Sequence, residues 1–201
     1  MKIKVLSHYL FDEEMKRMGL NDENVENTNM AFISIVGSDE CIRYWIQEND
    51  KHFFKDHENV LNLEFDDIGD DVMYNGHHFI CMPMEQAERT VDFVEDMIAK
   101  GIDTIICHCK AGFSRSRAVG EWIWRYCKEH DIDVDYEDRN DYTTMLNGDV
   151  LRNLNHAYLK KHRLDEYEDG NTEYPKDLVE PNVRIINREP RNKAWRHNGK
   201  V

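Results

Sequence analysis

Cys109 and Arg115 bracket the short loop Lys110-Ala111-Gly112-Phe113-Ser114, and Ser116 follows. A thiol and a guanidinium at that spacing suit chemistry on an anion. Arg grips two oxygens of a phosphoryl group at once, which a lysine ammonium cannot do. Loop N–H groups that turn inward, together with the positive end of a following helix, make a cradle for negative charge. A sulfur at the base of such a cradle sits where a thiolate is stabilised and can act as a nucleophile. Gly112 suits a point where the backbone needs positive φ and a close approach to the ligand. The Ser116 hydroxyl can reach the sulfur and ease its departure in a second step, and His108 is expected to brace the loop through ring hydrogen bonds.

The flanking residues must hold that loop. Ile105-Ile106-Cys107 is an apolar run rich in β-branched residues and reads as a buried strand ending at His108-Cys109. After Arg115 a helical pattern runs to about His130, with Ala118, Val119, Trp122, Ile123, Tyr126 and Cys127 on one wide apolar face. Upstream, Pro83 opens a helix with Ala87, Val91, Val94 and Ile98 as its buried stripe and Gly101 just beyond its end. A strand, this helix and the loop strand then form a right-handed β-α-β crossover.

His108-Cys109-x-x-Gly112-x-x-Arg115-Ser116 resembles the signature of cysteine-dependent protein tyrosine and dual-specificity phosphatases. The resemblance is strong over the motif with its strand and helix, extends by pattern over about 60–159, and does not reach the tail. It implies an α/β domain with a central mixed, largely parallel sheet flanked by helices, over residues 1–163, with 164–201 as a charged C-terminal extension. It implies a phosphomonoester hydrolase acting through a phosphocysteine intermediate, with Cys109, Arg115, Asp67 and Ser116 catalytic and Lys110 to Arg115 binding the phosphate. Neither metal nor cofactor is needed, because guanidinium and backbone dipoles supply the charge.

In this family a mobile loop ahead of the signature carries an aspartic acid that protonates the leaving oxygen. Phe65-Asp66-Asp67 is similar to that loop in several small dual-specificity enzymes, where the second Asp does the work. The role therefore goes to Asp67, with Asp66 as runner-up and Asp70, Asp71 and Glu85 as rivals. Leu146-Asn147-Gly148-Asp149-Val150 is loosely similar to the start of a late helix in the family, and Val150, Leu151, Leu154 and Tyr158 outline that helix.

Other readings compete. A phospholigand-binding module without turnover keeps the cradle. A rhodanese-like sulfurtransferase also places Cys before a helix, but the His-Cys opening and Arg-Ser closing argue against it. Low-molecular-weight phosphatases carry their signature near the N-terminus, whereas this one is mid-chain. The blandest alternative is a buried structural cysteine. Within phosphatases the sequence leaves phosphotyrosine, phosphoserine and phosphoinositide open, and Lys110 adds charge for a multiply phosphorylated ligand.

The rest of the chain sets bounds. Its 201 residues, 40% hydrophobic, suit one domain with a tail. A net charge of −14 repels nucleic acid and anionic membranes, so the expected partner is a phosphorylated protein or a small phosphomonoester. Five cysteines at irregular spacing do not form a disulfide framework, and the N-terminus is too short to be a secretory signal; the expectation is a reduced, cytoplasmic protein. Oligomeric state is left open.

Further elements read as follows: strands at Ile3–Leu6, Ala31–Val36 and Val60–Phe65, a short helix over Phe11–Leu20 stopped near Gly19, and a loop over Asn21–Asn29. Ser38 caps a helix presenting Ile42, Trp45 and Ile46, and 131–141 is an acidic loop. His77–Met82 is an extra strand or part of a flap, with His77-His78 a surface pair rather than metal ligands. The tail is acidic over 165–180 and basic over 183–201, either a solvated terminus or an arm that docks on the acidic body or a partner.

Overall fold

The computed structural model describes residues 1–38, 52–138 and 146–162. Strand β1 (Lys2–Ser7) leads into helix α1 (His8–Met18), then β2 (Met30–Val36) and β3 (Val60–Glu64). Two short strands, β4 (Val72–Tyr74) and β5 (His77–Phe79), precede α2 (Met84–Ala99), β6 (Thr104–Cys109) and α3 (Arg115–Glu129). Strand β7 (Asp135–Asp138) and helix α4 (Gly148–Lys161) complete the described chain. The expected helix after Ser38 and the whole charged tail lie outside the described residues.

β3, β2, β6, β1 and β7 form one five-stranded sheet in that order. Every pairing within it is parallel. Antiparallel pairing among the described residues occurs in the separate β4–β5 hairpin and in a single bridge between His57 and Val60 at the start of β3. β6 sits at the centre, between β1 and β2, so the loop after Cys109 emerges where the neighbouring strands lead off in different directions. In open α/β sheets that crevice at the carboxyl ends of the strands is the ordinary ligand site.

Strand alternation sorts the two faces. Ile3, Ala31, Ile33, Ile35, Leu61, Leu63, Ile105, Cys107 and Cys109 point to the face covered by α2, α3 and α4. Leu6, Phe32, Val60 and Ile106 point to the other, where Phe11 and Met15 of α1 and Phe53 cover them. Thus β6 sends Cys109 toward the α3 side and His108 toward α1.

His108 corrects an expectation. Its ring is fully buried, and neither ring nitrogen has a hydrogen-bond partner. It stacks on Phe11 at 4.0 Å between centroids instead of bracing the loop. Burial, with His8, His52 and Arg115 nearby, pulls its pKa down to about 3. The unfolded chain takes up this proton near pH 6.5 and the folded chain does not. Stability therefore falls as pH drops from about 6.5 toward 3, by roughly 1.4 kcal/mol per unit. His108→Phe keeps the stack and removes the titration. Denaturant unfolding at pH 6.5 and pH 5 should show the loss on acidification reduced by about 2 kcal/mol relative to the parent; an unchanged difference would contradict this account.

The helix ends follow local chemistry. Ser7 caps α1 by accepting from Leu10 N, and Gly19 closes it in the left-handed region at φ 67°. The loop expected over Asn21–Asn29 contains a short 3₁₀ turn, Val25–Asn27. The stretch expected as an acidic loop after Asp131 contains β7, which pairs with β1 at the sheet edge. Lys2 holds it through Glu137 at 2.6 Å.

Candidate functional site

The site assembles at the carboxyl ends of β6, β2 and β3. The loop from Lys110 to Ser114 carries the chain from β6 into α3. Lys110 and Ala111 are exposed on its rim, while Gly112, Ser114, Arg115 and Ser116 are buried and Phe113 is half-buried. Gly112 adopts φ +79°. A Cβ there would lie 2.6 Å from Leu6 C and 2.7 Å from Ser7 Cα. A close approach that demands glycine is therefore made to the β1–α1 junction. His8 N donates to Lys110 O at 3.3 Å across the same junction, which pins the loop to the start of α1.

Cys109 lies at the base of the loop, 2% exposed. Its Sγ accepts from Gly112 N at 3.3 Å and from Ser116 Oγ at 3.2 Å. Burial pushes the Cys107 thiol up, and it lifts Cys127 to about 11. Burial also raises Cys81, with the Asp71 carboxylate adding to the effect. Thiols raised in this way are inert. Cys109 differs from Cys107 and Cys127 in having donors aimed at its sulfur, which argues against a merely structural cysteine.

Arg115 begins α3 and is 7% exposed. Its Nη1 donates to Phe65 O at 2.6 Å and to Val36 O at 3.1 Å, carbonyls just beyond the end of β3 and at the end of β2. Two backbone acceptors thus fix the guanidinium plane. Nε is buried and has no partner. An unpaired buried N–H is costly, roughly 1–3 kcal/mol, unless a ligand satisfies it.

The two adjacent aspartates divide their roles. Asp66 is 2% exposed. It accepts from Ser38 N at 2.9 Å, Ser38 Oγ at 2.7 Å and Ile80 N at 2.9 Å, and its own N–H donates to Ile80 O at 2.7 Å. It is a tie between loops. Asp67 is exposed and turns to the signature loop. Its Oδ1 accepts from Ser114 Oγ at 2.6 Å and Asn147 Nδ2 at 2.9 Å, while no hydrogen bond from the described residues reaches Oδ2. Asp71 accepts from Cys81 N at 2.9 Å, which holds its carboxyl below the usual carboxylate range. Asp70 is exposed, and Glu85 is exposed in the first turn of α2. Of these five acids, Asp67 alone hydrogen-bonds the signature loop.

Asn147 was not among the expected site residues. It caps α4 by accepting from Asp149 N and Val150 N, both at 3.1 Å, and spends its amide on Asp67. Its backbone N–H also reaches Ser114 O at 3.5 Å. The signal was present in sequence as an Asn before a helical pattern. Asp67 lies eighty positions earlier in the chain, and only the fold joins the two. Likewise Gly69 packs where a Cβ would collide with the Asp149 carboxylate, so the Asp67 loop rests on the start of α4.

His78 Nε2 lies 3.5 Å from Asp71 Oδ2 at the surface. Among the described residues no group of three His, Cys, Asp or Glu is placed to hold a metal ion. No described helix is long and apolar enough to cross a membrane.

No protein-family model matches this chain, and no curated protein matches it in sequence. The class is therefore defined by structure alone. It is an α/β protein with a parallel five-stranded sheet, carrying a cysteine, an arginine and an aspartate together at the strands' carboxyl ends.

Proposed function

We propose that the chain is a cysteine-dependent phosphomonoester hydrolase, of the protein tyrosine or dual-specificity type. One observation carries the reading. A sulfur with two donors, an anchored arginine with an unspent N–H and an aspartate bonded to the same loop converge on one short segment. In this reading Cys109 attacks phosphorus in line, and the P–O bond to the leaving group breaks. The loop from Lys110 to Ser114 and Arg115 hold the equatorial oxygens. Asp67 gives the leaving oxygen its proton from Oδ2, a contribution on the order of 10²–10⁴-fold. Water then attacks the phosphocysteine, Asp67 takes its proton, and Ser116 donates to the departing sulfur.

The substrate is a phosphorylated protein or small phosphomonoester, and the compartment a reducing one such as the cytoplasm. The free cysteines and acidic surface support those two points. The competing reading is a module that binds phosphorylated ligands without turnover. What favours it is that Asp67 Oδ1 is already held by two donors, so the acid role rests on Oδ2 alone. Steady hydrolysis of an aryl phosphate excludes that reading; tight phosphate binding with no hydrolysis supports it.

Arg115→Lys tests the clamp. Lys can replace one charge but not a planar fork that bonds two backbone carbonyls and still presents N–H groups. Activity on an aryl phosphate should fall roughly 10²–10³-fold, with weaker competitive inhibition by vanadate. Unchanged kinetics would exclude bidentate recognition.

A further inference from the structure

Between Asp67 and α2 the chain builds a projecting hairpin. Val72, Met73 and Tyr74 of β4 pair with Phe79, His78 and His77 of β5. Asn75 at φ 50° and Gly76 at φ 81° make the tight turn. Phe79 is buried and anchors it, but Val72, Met73 and Tyr74 are 44%, 67% and 54% exposed. Strand alternation puts Val72 and Tyr74 on one face of the two-stranded flap and Met73 on the other, and exposed apolar side chains that project in this way mark a contact surface. The base of the flap is fastened next to the candidate acid, because Ile80 exchanges hydrogen bonds with Asp66 and Cys81 N donates to Asp71.

The strip from Asp67 to the flap is also acidic. Asp67, Asp70 and Asp71 are exposed along it, and Gly69 brings the Asp149 carboxylate against it. Arg152 lies 2.5 Å from Asp149, and the His78 ring lies 3.5 Å from Asp71. At the other end of the strip stands the cradle, where the buried Arg115 keeps Nε without a partner. Met73 follows Asp67 by six residues, so it lies within about 20 Å along the chain, the span of roughly six extended peptide residues.

We propose that the flap and the acidic strip form the docking rim for a phosphopolypeptide whose phosphorylated residue is flanked by basic and apolar side chains. The inference rests on the hydrolase reading and names its substrate class. Arg115 takes the phosphate. Asp70 and Asp71 attract the basic flank, and Met73 covers the apolar one. The same strip repels multiply phosphorylated small molecules and anionic bilayers, whose charge has the wrong sign.

The test measures kcat/KM of the full chain for phosphotyrosyl peptides flanked by Arg and Leu, by Asp and Glu, or by Ser and Gly, with an aryl phosphate alongside. Affinities of the same peptides for the Cys109→Ser chain are measured in parallel. The basic-apolar peptide should exceed the acidic one about tenfold at low salt, and the ratio should shrink toward 1 M salt as screening shortens. Asp70→Lys should erase the charge preference, and Met73→Ser should cut the advantage of Leu over Ser flanks several-fold. Equal use of all peptides, or preference for a multiply phosphorylated inositol, overturns the rim. So does Met73-dependent binding to phosphatidylcholine vesicles with no peptide preference. Failure of the hydrolase reading is distinguishable: the aryl phosphate is then not turned over, while the affinities of the Cys109→Ser chain still rank the peptides or do not.

Discussion

Cys109→Ser is expected to abolish hydrolysis of an aryl phosphate while leaving phosphate or vanadate binding within a few-fold of the parent. The substitution exchanges sulfur for oxygen at nearly the same size. The donors at that position, Gly112 N and Ser116 Oγ, have an acceptor in either case. Arg115 stays on the Val36 and Phe65 carbonyls, which do not involve the sulfur. What is lost is a nucleophile that is effective near neutral pH, since a serine hydroxyl without an adjacent general base is weak. Among the described residues no base contacts this position, so the loss should be on the order of 10⁵-fold or more, the scale for removal of a covalent nucleophile. Turnover is the readout for chemistry and anion affinity the readout for the cradle. Residual turnover above about one per cent would remove Cys109 as the nucleophile.

The second large effect separates Asp67 from Asp66. Asp67→Asn keeps an Oδ1 that accepts from Ser114 and Asn147, so the loop geometry survives and only the transferable proton disappears. On a substrate with a poor leaving group kcat should fall on the order of 10²–10⁴-fold, with a much smaller effect on a good leaving group that departs without protonation. Asp66→Asn should behave differently. The Asp66 carboxylate is buried and receives Ser38 N, Ser38 Oγ and Ile80 N. An amide there loses the charge that strengthens these bonds and turns an N–H toward donors, at a cost of about 2–4 kcal/mol in stability. Thermal or denaturant unfolding should reveal the loss, and leaving-group dependence should not change. If Asp66→Asn alone made turnover sensitive to the leaving group, the acid would be Asp66.

The parts of this fold that were legible in sequence share a physical reason. α2 and α3 carry apolar residues at the helical period because each buries one face against the sheet, whereas β2 and β6 read as apolar runs because both of their faces are covered. The ends of α1 and α2 were marked by Gly19 and Gly101, both in the left-handed region. β7 was hidden because an edge strand needs no apolar alternation; Asp135 and Glu137 pair with Lys2 along that edge, and Asp138 pairs with Arg117. The hairpin was half hidden. The Asn75-Gly76 turn signal was present, but the flanking residues are too few and too exposed to show a pattern.

The candidate site was legible where its residues are contiguous and obscure where they are not. Cys109, Arg115 and Ser116 belong to one loop and helix start, and the chain alone predicted their proximity. The preference for Asp67 over Asp66 came from the resemblance; in the structure Asp67 is the one of the two that accepts a hydrogen bond from Ser114. His108 was misread because a histidine beside a reactive loop suggests hydrogen bonding. In a parallel strand, however, its side chain must point opposite to Cys109, into the layer where Phe11 waits. Gly112 was assigned the right backbone conformation for an incomplete reason, since its crowding comes from Leu6 and Ser7, a hundred residues earlier in the chain.

The most direct test is to mix the full chain with excess aryl phosphate, stop the reaction in acid within the first turnovers, and map covalently bound phosphate by mass spectrometry. The prediction is one phosphate per chain, on Cys109, which appears with the first released phenol and decays at the rate of turnover. Steady release of phenol with Cys109 unmodified throughout, or with phosphate attached elsewhere, would contradict it.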